Sequence, residues 1–252
     1  MNKIAFITGA TSGIGKASAH IFAKNHYNLI ITGRRKDRLD EIANYLKDKY
    51  AIEVLSLNFD VRNREEVEAA IDGLSEDWKN IDVLLNNAGL AVGLNNIQDG
   101  EYDDWERMID TNIKGLLYVT RNIAPLMIAN GKGHIINIGS IAGKETYPFG
   151  NVYCATKHAV DSLTKAMRID MVSEGIKVTQ IAPGAVETEF SNVRFKGDDA
   201  KADSVYKGFE PLHPEDIADA VYYCASLPAH VNINDMVIMP TAQANATTII
   251  RK

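Results

Sequence analysis

Tyr153 and Lys157 are four residues apart, so on a helix they share one face. An ammonium beside a phenol favours the phenolate, which lets a tyrosine give and take a proton near neutral pH. Ser140 precedes them on a separate segment. Y-x-x-x-K arises by chance in many helices. Its weight here comes from Thr8-Gly-Ala-Thr-Ser-Gly-Ile-Gly15, a phosphate-cradle loop directly after a first apolar strand. Together the two signals point to hydride exchange with a bound dinucleotide, assisted by a tyrosine acid/base.

The loop places Gly9, Gly13 and Gly15 as G-x-x-x-G-x-G. Glycine allows a tight turn and close approach of backbone to pyrophosphate. The helix beginning near Ile14 offers unpaired N–H groups and a positive dipole end to the phosphates. The loop residues Gly9, Ala10, Thr11, Ser12, Gly13, Ile14 and Gly15 are therefore expected to bind the cofactor. The second strand ends Thr32-Gly33-Arg34-Arg35, where an NAD site usually carries an acid on the ribose 2′-OH. Two guanidiniums suit a 2′-phosphate instead, so NADP is expected, held by Arg34 and Arg35. Lys36 and Arg38 read as surface residues. Asp60 and Val61 follow the third strand, toward the adenine. Asn86-Asn87-Ala88-Gly89 closes the fourth, where small residues let the backbone meet the cofactor ribose.

These residues need a frame, and the chain supplies one. Strands are expected at 3–8, 28–33, 53–58, 82–86, 133–140, 177–182 and 236–239, and helices at 15–25, 36–49, 64–73, 102–130, 152–174 and 214–227. Strands such as His134-Ile-Ile-Asn-Ile138 are apolar on both faces, as in a parallel sheet covered by helices on each side. The fold class is α/β: one Rossmann-like doubly wound domain over 1–252, with a central parallel sheet of about seven strands and helices on both faces. Segment 187–209 is long, polar and without a clear period. It follows the sixth strand, at the sheet edge where ligands bind, and reads as a substrate lid.

Composition bounds the function. At 46% hydrophobic and 24% charged the chain has the balance of a globular protein, and no linker divides it. A net charge of −6 without a basic stripe argues against nucleic acid. No apolar run reaches the roughly 18 residues of a membrane helix. The N-terminus runs straight into a strand, so no secretory leader is expected. Cys154 and Cys224, with six scattered histidines, form no metal-ligand spacing, so no metal is expected and a reducing cytoplasm is. Cys154 reads as packing rather than a reactive thiol. Trp105 and Met108 read as core or subunit contact.

Jointly, Thr8–Gly15, Asn86–Gly89, Asn112, Ser140, Tyr153-x-x-x-Lys157 and Pro183-Gly184 resemble the short-chain dehydrogenase/reductase family over essentially the whole chain. Asn87–Gly93, Trp105–Asn112, Gly150–Tyr153, Glu189–Asp199 and Leu227–Asn234 are similar to one branch, the NADP-dependent 3-hydroxy acid dehydrogenases. That branch includes serine and L-allo-threonine dehydrogenases and reductases of malonic semialdehyde. The resemblance implies Tyr153 as general acid/base and Lys157 as its charge partner and a ribose ligand. It implies Ser140 as donor to the substrate oxygen and Asn112 as holder of a relay water. Pro183, Gly184, Val186 and Thr188 would wrap the nicotinamide side, and the long helices bearing Asn112 and Tyr153 would build a homotetramer.

A hydroxy acid needs a carboxylate partner. Arg194 in the lid can supply a bidentate guanidinium, or it can be solvated or tied to an acid. Tyr147 is a pocket wall or packing. Two other functions fit parts of the pattern: a reductase of bulkier ketones or 3-oxoacyl thioesters, which has no use for Arg194, and an NADP-sensing protein without turnover, which has no use for Ser140, Tyr153 and Lys157 together.

Overall fold

The computed structural model describes residues 2–252, with side chains for all of these but 202 and 203. Seven strands form one parallel sheet in the order β3-β2-β1-β4-β5-β6-β7. They are β1 (Ile4–Ile7), β2 (Asn28–Gly33), β3 (Val54–Asn58), β4 (Ile81–Asn86), β5 (Gly133–Ile138), β6 (Ile176–Pro183) and β7 (Asp235–Ile238). The long helices are α1 (Gly13–Lys24), α2 (Lys36–Tyr50), α3 (Arg64–Asp72), α4 (Tyr102–Ile109), α5 (Leu116–Ala129) and α6 (Asn151–Met171). The short α7 (Phe190–Arg194) and α8 (Asp199–Ser204) and the longer α9 (Pro214–Ser226) follow.

Strands apolar at every position serve two cores. In β1, Ala5 and Ile7 join Leu29 and Ile31 under Phe22, Leu39 and Val221 of α1, α2 and α9. The alternate Ile4 and Phe6 join Ile30 and Leu84 under Val67, Ile123 and Val160 of α3, α5 and α6. Side chains of a strand alternate between faces, so continuous Ile/Leu/Val content covers both and holds a helical layer on each side. The order in which strands are added reverses between β1 and β4, and a ligand crevice is expected at such a switch point.

Two expected elements differ. The helix expected over 102–130 is three pieces, because a π-helical turn, Asp110–Gly115, separates α4 from α5. One extra residue in a turn leaves the apolar periodicity on both sides intact, so it is invisible in the pattern; π-turns are frequent at functional sites. The segment expected to be an aperiodic lid holds α7 and α8. Both helices are too short for a period to register. Among the described residues no helix is long and apolar enough to cross a membrane, and no cluster of His, Cys, Asp or Glu could hold a metal.

Candidate active site

A cavity of about 650 Å³ opens at the β1/β4 switch point, and most of the residues singled out from the sequence line it. One wall is the loop after β1. Gly9 has φ +67°, and a Cβ there would sit 3.0 Å from Ala88 Cα; a Cβ on Gly13 would press on Thr188 at 3.1 Å. The loop thus leaves a cradle that any side chain would fill, which fits a pyrophosphate approached by bare backbone. Thr11, Ser12 and Ile14 also line it, and the Thr8 hydroxyl accepts from the N–H groups of Asn87 and Ala88 at 3.0 and 2.9 Å, tying the loop to the end of β4.

Two loop residues do not face the cavity. Ala10 is fully buried in the core and gives its N–H to the Thr32 carbonyl at 2.9 Å. Gly15 lies against Gly9 and Asn87, where a Cβ would come within 2.4 Å of both. Its task is close packing of α1 on the loop rather than ligand contact.

At the adenine end, Arg34, Arg35, Asp60 and Val61 line the cavity. Arg34 is more than half exposed, 3.9 Å from Asp60, whose carboxylate is taken by Arg62 at 2.6 Å. Arg35 is more engaged than its sequence suggests. It donates to the Thr11 hydroxyl at 3.0 Å and to Glu189 at 2.7 Å, and Arg38 reaches the same carboxylate at 2.6 Å. Arg38 therefore holds Glu189 of segment 187–209 and is not a plain surface residue. Lys36, paired with Asp40, is one.

The chemistry sits at the far end. Tyr153, Ser140, Tyr147, Lys157 and Arg194 converge on the cavity, with Gly89, Pro183, Gly184, Val186 and Thr188 around them. Ser140 lies two residues past the end of β5, and its hydroxyl accepts from the Ala142 N–H at 3.1 Å. Lys157 is buried one turn along α6 from Tyr153, with Nζ donating to the Ile138 carbonyl at 2.9 Å. Burial lowers its pKa to about 8. Burial also pushes the Tyr153 phenol well above its ordinary value, Tyr147 adds to this, and Ser140 and the Arg194 charge pull less strongly downward. The expected near-neutral phenol is therefore not a property of the Tyr–Lys pair alone: in a dry pocket desolvation outweighs a neighbouring cation.

Asn112 lies in the π-turn behind this group, outside the cavity lining. Its amide is a clamp: Oδ1 accepts from the Leu90 N–H at 2.8 Å, and Nδ2 donates to the Leu90 carbonyl at 2.8 Å and to Thr156 at 3.0 Å. The side chain is spent on positioning the Leu90 backbone beside Lys157.

Arg194 comes from the last residue of α7. Its guanidinium lies 5.4 Å from the Tyr147 ring centre and 5.7 Å from that of Tyr153, and it donates to the Tyr147 hydroxyl at 3.0 Å. Its Nε is buried with no hydrogen-bond partner among the described residues. A buried unpaired donor is costly unless a ligand satisfies it. Phe190 of the same helix packs edge-on to Tyr153 at 5.7 Å.

Several lining residues carried no sequence signal. Gln243, Ala246 and Ile249 come from the C-terminal segment, and Gln243 accepts the Ala185 N–H at 2.8 Å. Thr111, Leu90 and Tyr206 also contribute. Only the folded chain brings these distant stretches to the site. Trp105 and Met108 pack in the small apolar cluster behind Tyr153, and Cys154 is buried there as a free thiol.

A family model described as short chain dehydrogenase matches residues 3–199. The chain is similar to the NADP-dependent 3-hydroxy acid dehydrogenase of Salmonella typhi, at 49% identity over 244 residues that cover 96% of this chain and 97% of that one. It is also similar to sulfoacetaldehyde reductase 2 of Chromohalobacter salexigens, at 46% identity over 245 residues, covering 97% and 96%. Among solved structures it superposes on the closed form of serine dehydrogenase complexed with NADP+, with TM-score 0.92, 46% identity and 99% coverage of both chains.

Proposed function

The chain belongs to the short chain dehydrogenase family, and from that premise we propose that it is an NADP-dependent oxidoreductase interconverting short 3-hydroxy acids with their 3-oxo acids or semialdehydes. The observation that carries the substrate class is the Arg194 guanidinium, half-buried beside Tyr153 with its Nε buried and unsatisfied. A carboxylate there satisfies the orphan donor and places a carbinol two bonds along the substrate chain near the phenol. A guanidinium reads a planar, bidentate anion, and a neutral ketone would leave it unpaired.

NADP, when bound, supplies the acceptor or donor of hydride. The chain's residues do the rest. Gly9, Gly13 and their neighbours would cradle the pyrophosphate, and Arg34 and Arg35 would hold the 2′-phosphate. Ser140 donates to the substrate oxygen. Tyr153 takes the hydroxyl proton in oxidation and returns it in reduction, with the positive charges of Lys157 and Arg194 offsetting the burial of its phenolate. Asn112 positions the Leu90 backbone behind Lys157. Residues 187–209 close over the substrate.

A sulfonate spreads charge over oxygens in the same way, and a sulfoacetaldehyde reductase is among the relatives. In 2-hydroxyethanesulfonate the carbinol is as many bonds from sulfur as it is from the carboxyl carbon of 3-hydroxypropionate, so it is the natural second substrate. The oligomer is a homotetramer. Tyr102, Leu117 and Ile169 stand exposed on the helices that carry the site, as a subunit contact requires. Two free, buried cysteines suit the reducing cytoplasm.

The test is NADP reduction with L-serine, L-allo-threonine, 3-hydroxypropionate, 2-hydroxyethanesulfonate and a neutral secondary alcohol, with NAD in parallel. Turnover of the anions alone, faster with NADP, is expected. Turnover of the neutral alcohol alone would return the reading to a reductase of other ketones, and no turnover to an NADP sensor.

A further inference from the structure

Asp104 is a carboxylate only 5% exposed, on the first turn of α4; it does not line the large cofactor cavity, but with Gly93 it lines a small pocket behind Tyr153. Its neighbours come from two other parts of the chain. The Lys196 ammonium, two residues past Arg194, lies 2.8 Å from Oδ2 as a charge pair rather than an aligned hydrogen bond. Gly93, on the connection after β4, faces the same oxygen so closely that a Cβ there would come within 2.7 Å. Gly93 also gives its N–H to the carbonyl of Arg194 at 3.0 Å. Its φ of +74° is left-handed, a conformation that favours glycine and aims that N–H at the lid. Lys196 itself is held at φ +54°, which a residue with a side chain adopts only where its surroundings compensate.

We propose that Asp104 is a positioning residue: through Lys196 it seats the C-terminal end of α7 on the Gly93 connection and so holds the Arg194 guanidinium over Tyr153. This inference rests on the proposed role of Arg194 as the anion anchor. The physical case is that α7 has only five residues, too few to set its own orientation. A guanidinium on such a helix points where the chain just beyond it is fixed. At its N-terminal side α7 is held by Glu189, Phe190 and Ser191; at its C-terminal end the ties to the α4 side are one backbone hydrogen bond to Arg194 itself and one ion pair, with the carboxylate side buried and the lysine half exposed. The pair can therefore form and break with the lid. Asp104 also lies near the positive end of α4, and a purely local role there would stabilise the helix without reaching the substrate.

The experiment uses the full-length enzyme with saturating NADP and 3-hydroxypropionate. Lys196→Met, Asp104→Asn, their double variant, Lys196→Arg and Arg194→Lys are compared by KM, kcat, NADPH affinity from nucleotide fluorescence, and melting temperature. Misplacing an anchoring group by about 1 Å costs on the order of 10- to 100-fold. Lys196→Met and Asp104→Asn should each raise KM about tenfold with kcat, NADPH affinity and melting temperature near wild type. The double variant should be no worse than the worse single, and Lys196→Arg should keep the wild-type KM. A wild-type KM in Lys196→Met alongside a raised KM in Arg194→Lys would overturn the inference and leave the anchor standing. So would multiplicative effects in the double variant. A wild-type KM in Arg194→Lys would remove the anchor, and this inference with it. Because Lys196 is half exposed, its variants carry the test even if Asp104→Asn fails to fold.

Discussion

The Lys157 ammonium and the Tyr153 phenol share a helical face, yet the ammonium sits 6.0 Å from the tyrosine ring centre and spends a hydrogen bond on the Ile138 carbonyl. Both groups are buried, and burial acts on them in opposite directions: it raises the phenol and lowers the ammonium. Lys157 is thus a nearby charge and a donor with further protons to offer, rather than a direct partner of the phenol.

If Tyr153 moves the proton, removing its hydroxyl should stop turnover without emptying the cofactor site. Tyr153→Phe should lower kcat by about 10²- to 10⁴-fold, the usual range for general acid–base catalysis. NADPH affinity, read from nucleotide fluorescence, should stay within a few-fold of wild type, since the cradle lies at Gly9–Ile14. Near-normal turnover would end the acid/base assignment.

The lowered pKa of Lys157 has a consequence for stability. The folded value is about 8 against an ordinary 10.5, so between these the unfolded chain binds more protons than the folded one. Stability from this group is fully present above pH 10.5 and is lost as pH falls through 8, leaving a cost at neutral pH on the order of 1–3 kcal/mol. Lys157→Met, free of NADP, should therefore melt higher than wild type at pH 7, by roughly 2–4 °C per kcal/mol. That gain should shrink as the pH is raised through 8 toward 10.5. Thermal unfolding across this range checks it, and a pH-independent difference would mean that lost packing, not charge, governs the variant.

Arg34 and Arg35 are not equivalent. Arg35 is already bound to Thr11 and Glu189, whereas Arg34 has only a 3.9 Å approach to Asp60. Arg34→Ala should weaken NADP by about 10- to 100-fold, the worth of one charge-assisted hydrogen-bonded group, and leave NAD almost unchanged. Arg35→Ala should also loosen the lid through Glu189, so the KM of the hydroxy acid should rise with that of NADP. Equal loss of NAD and NADP in Arg34→Ala would remove its phosphate role.

The amino-acid sequence by itself determined the sheet, the cofactor loop and the residue types proposed for catalysis. Strands apolar on both faces call for cover on both faces, and a glycine loop between a first strand and a first helix calls for a phosphate ligand. Tyr153 and Lys157 meet because helical spacing is local. The tertiary structure decided everything that depends on contacts between distant segments. It broke the 102–130 helix at Asp110–Gly115, where the Asn112 side chain reaches Leu90. It turned Ala10 and Gly15 away from the ligand, drew Arg38 to Glu189, and brought Gln243 and Ile249 to the cavity. It also set the electrostatics, because desolvation depends on the whole surrounding shell and not on spacing along the chain. Arg194 shows the division: its chemistry is readable as a residue type, but its place over Tyr153 is set by Lys196 and by Gly93 and Asp104, which lie at least 90 residues earlier in the chain and meet it only by folding.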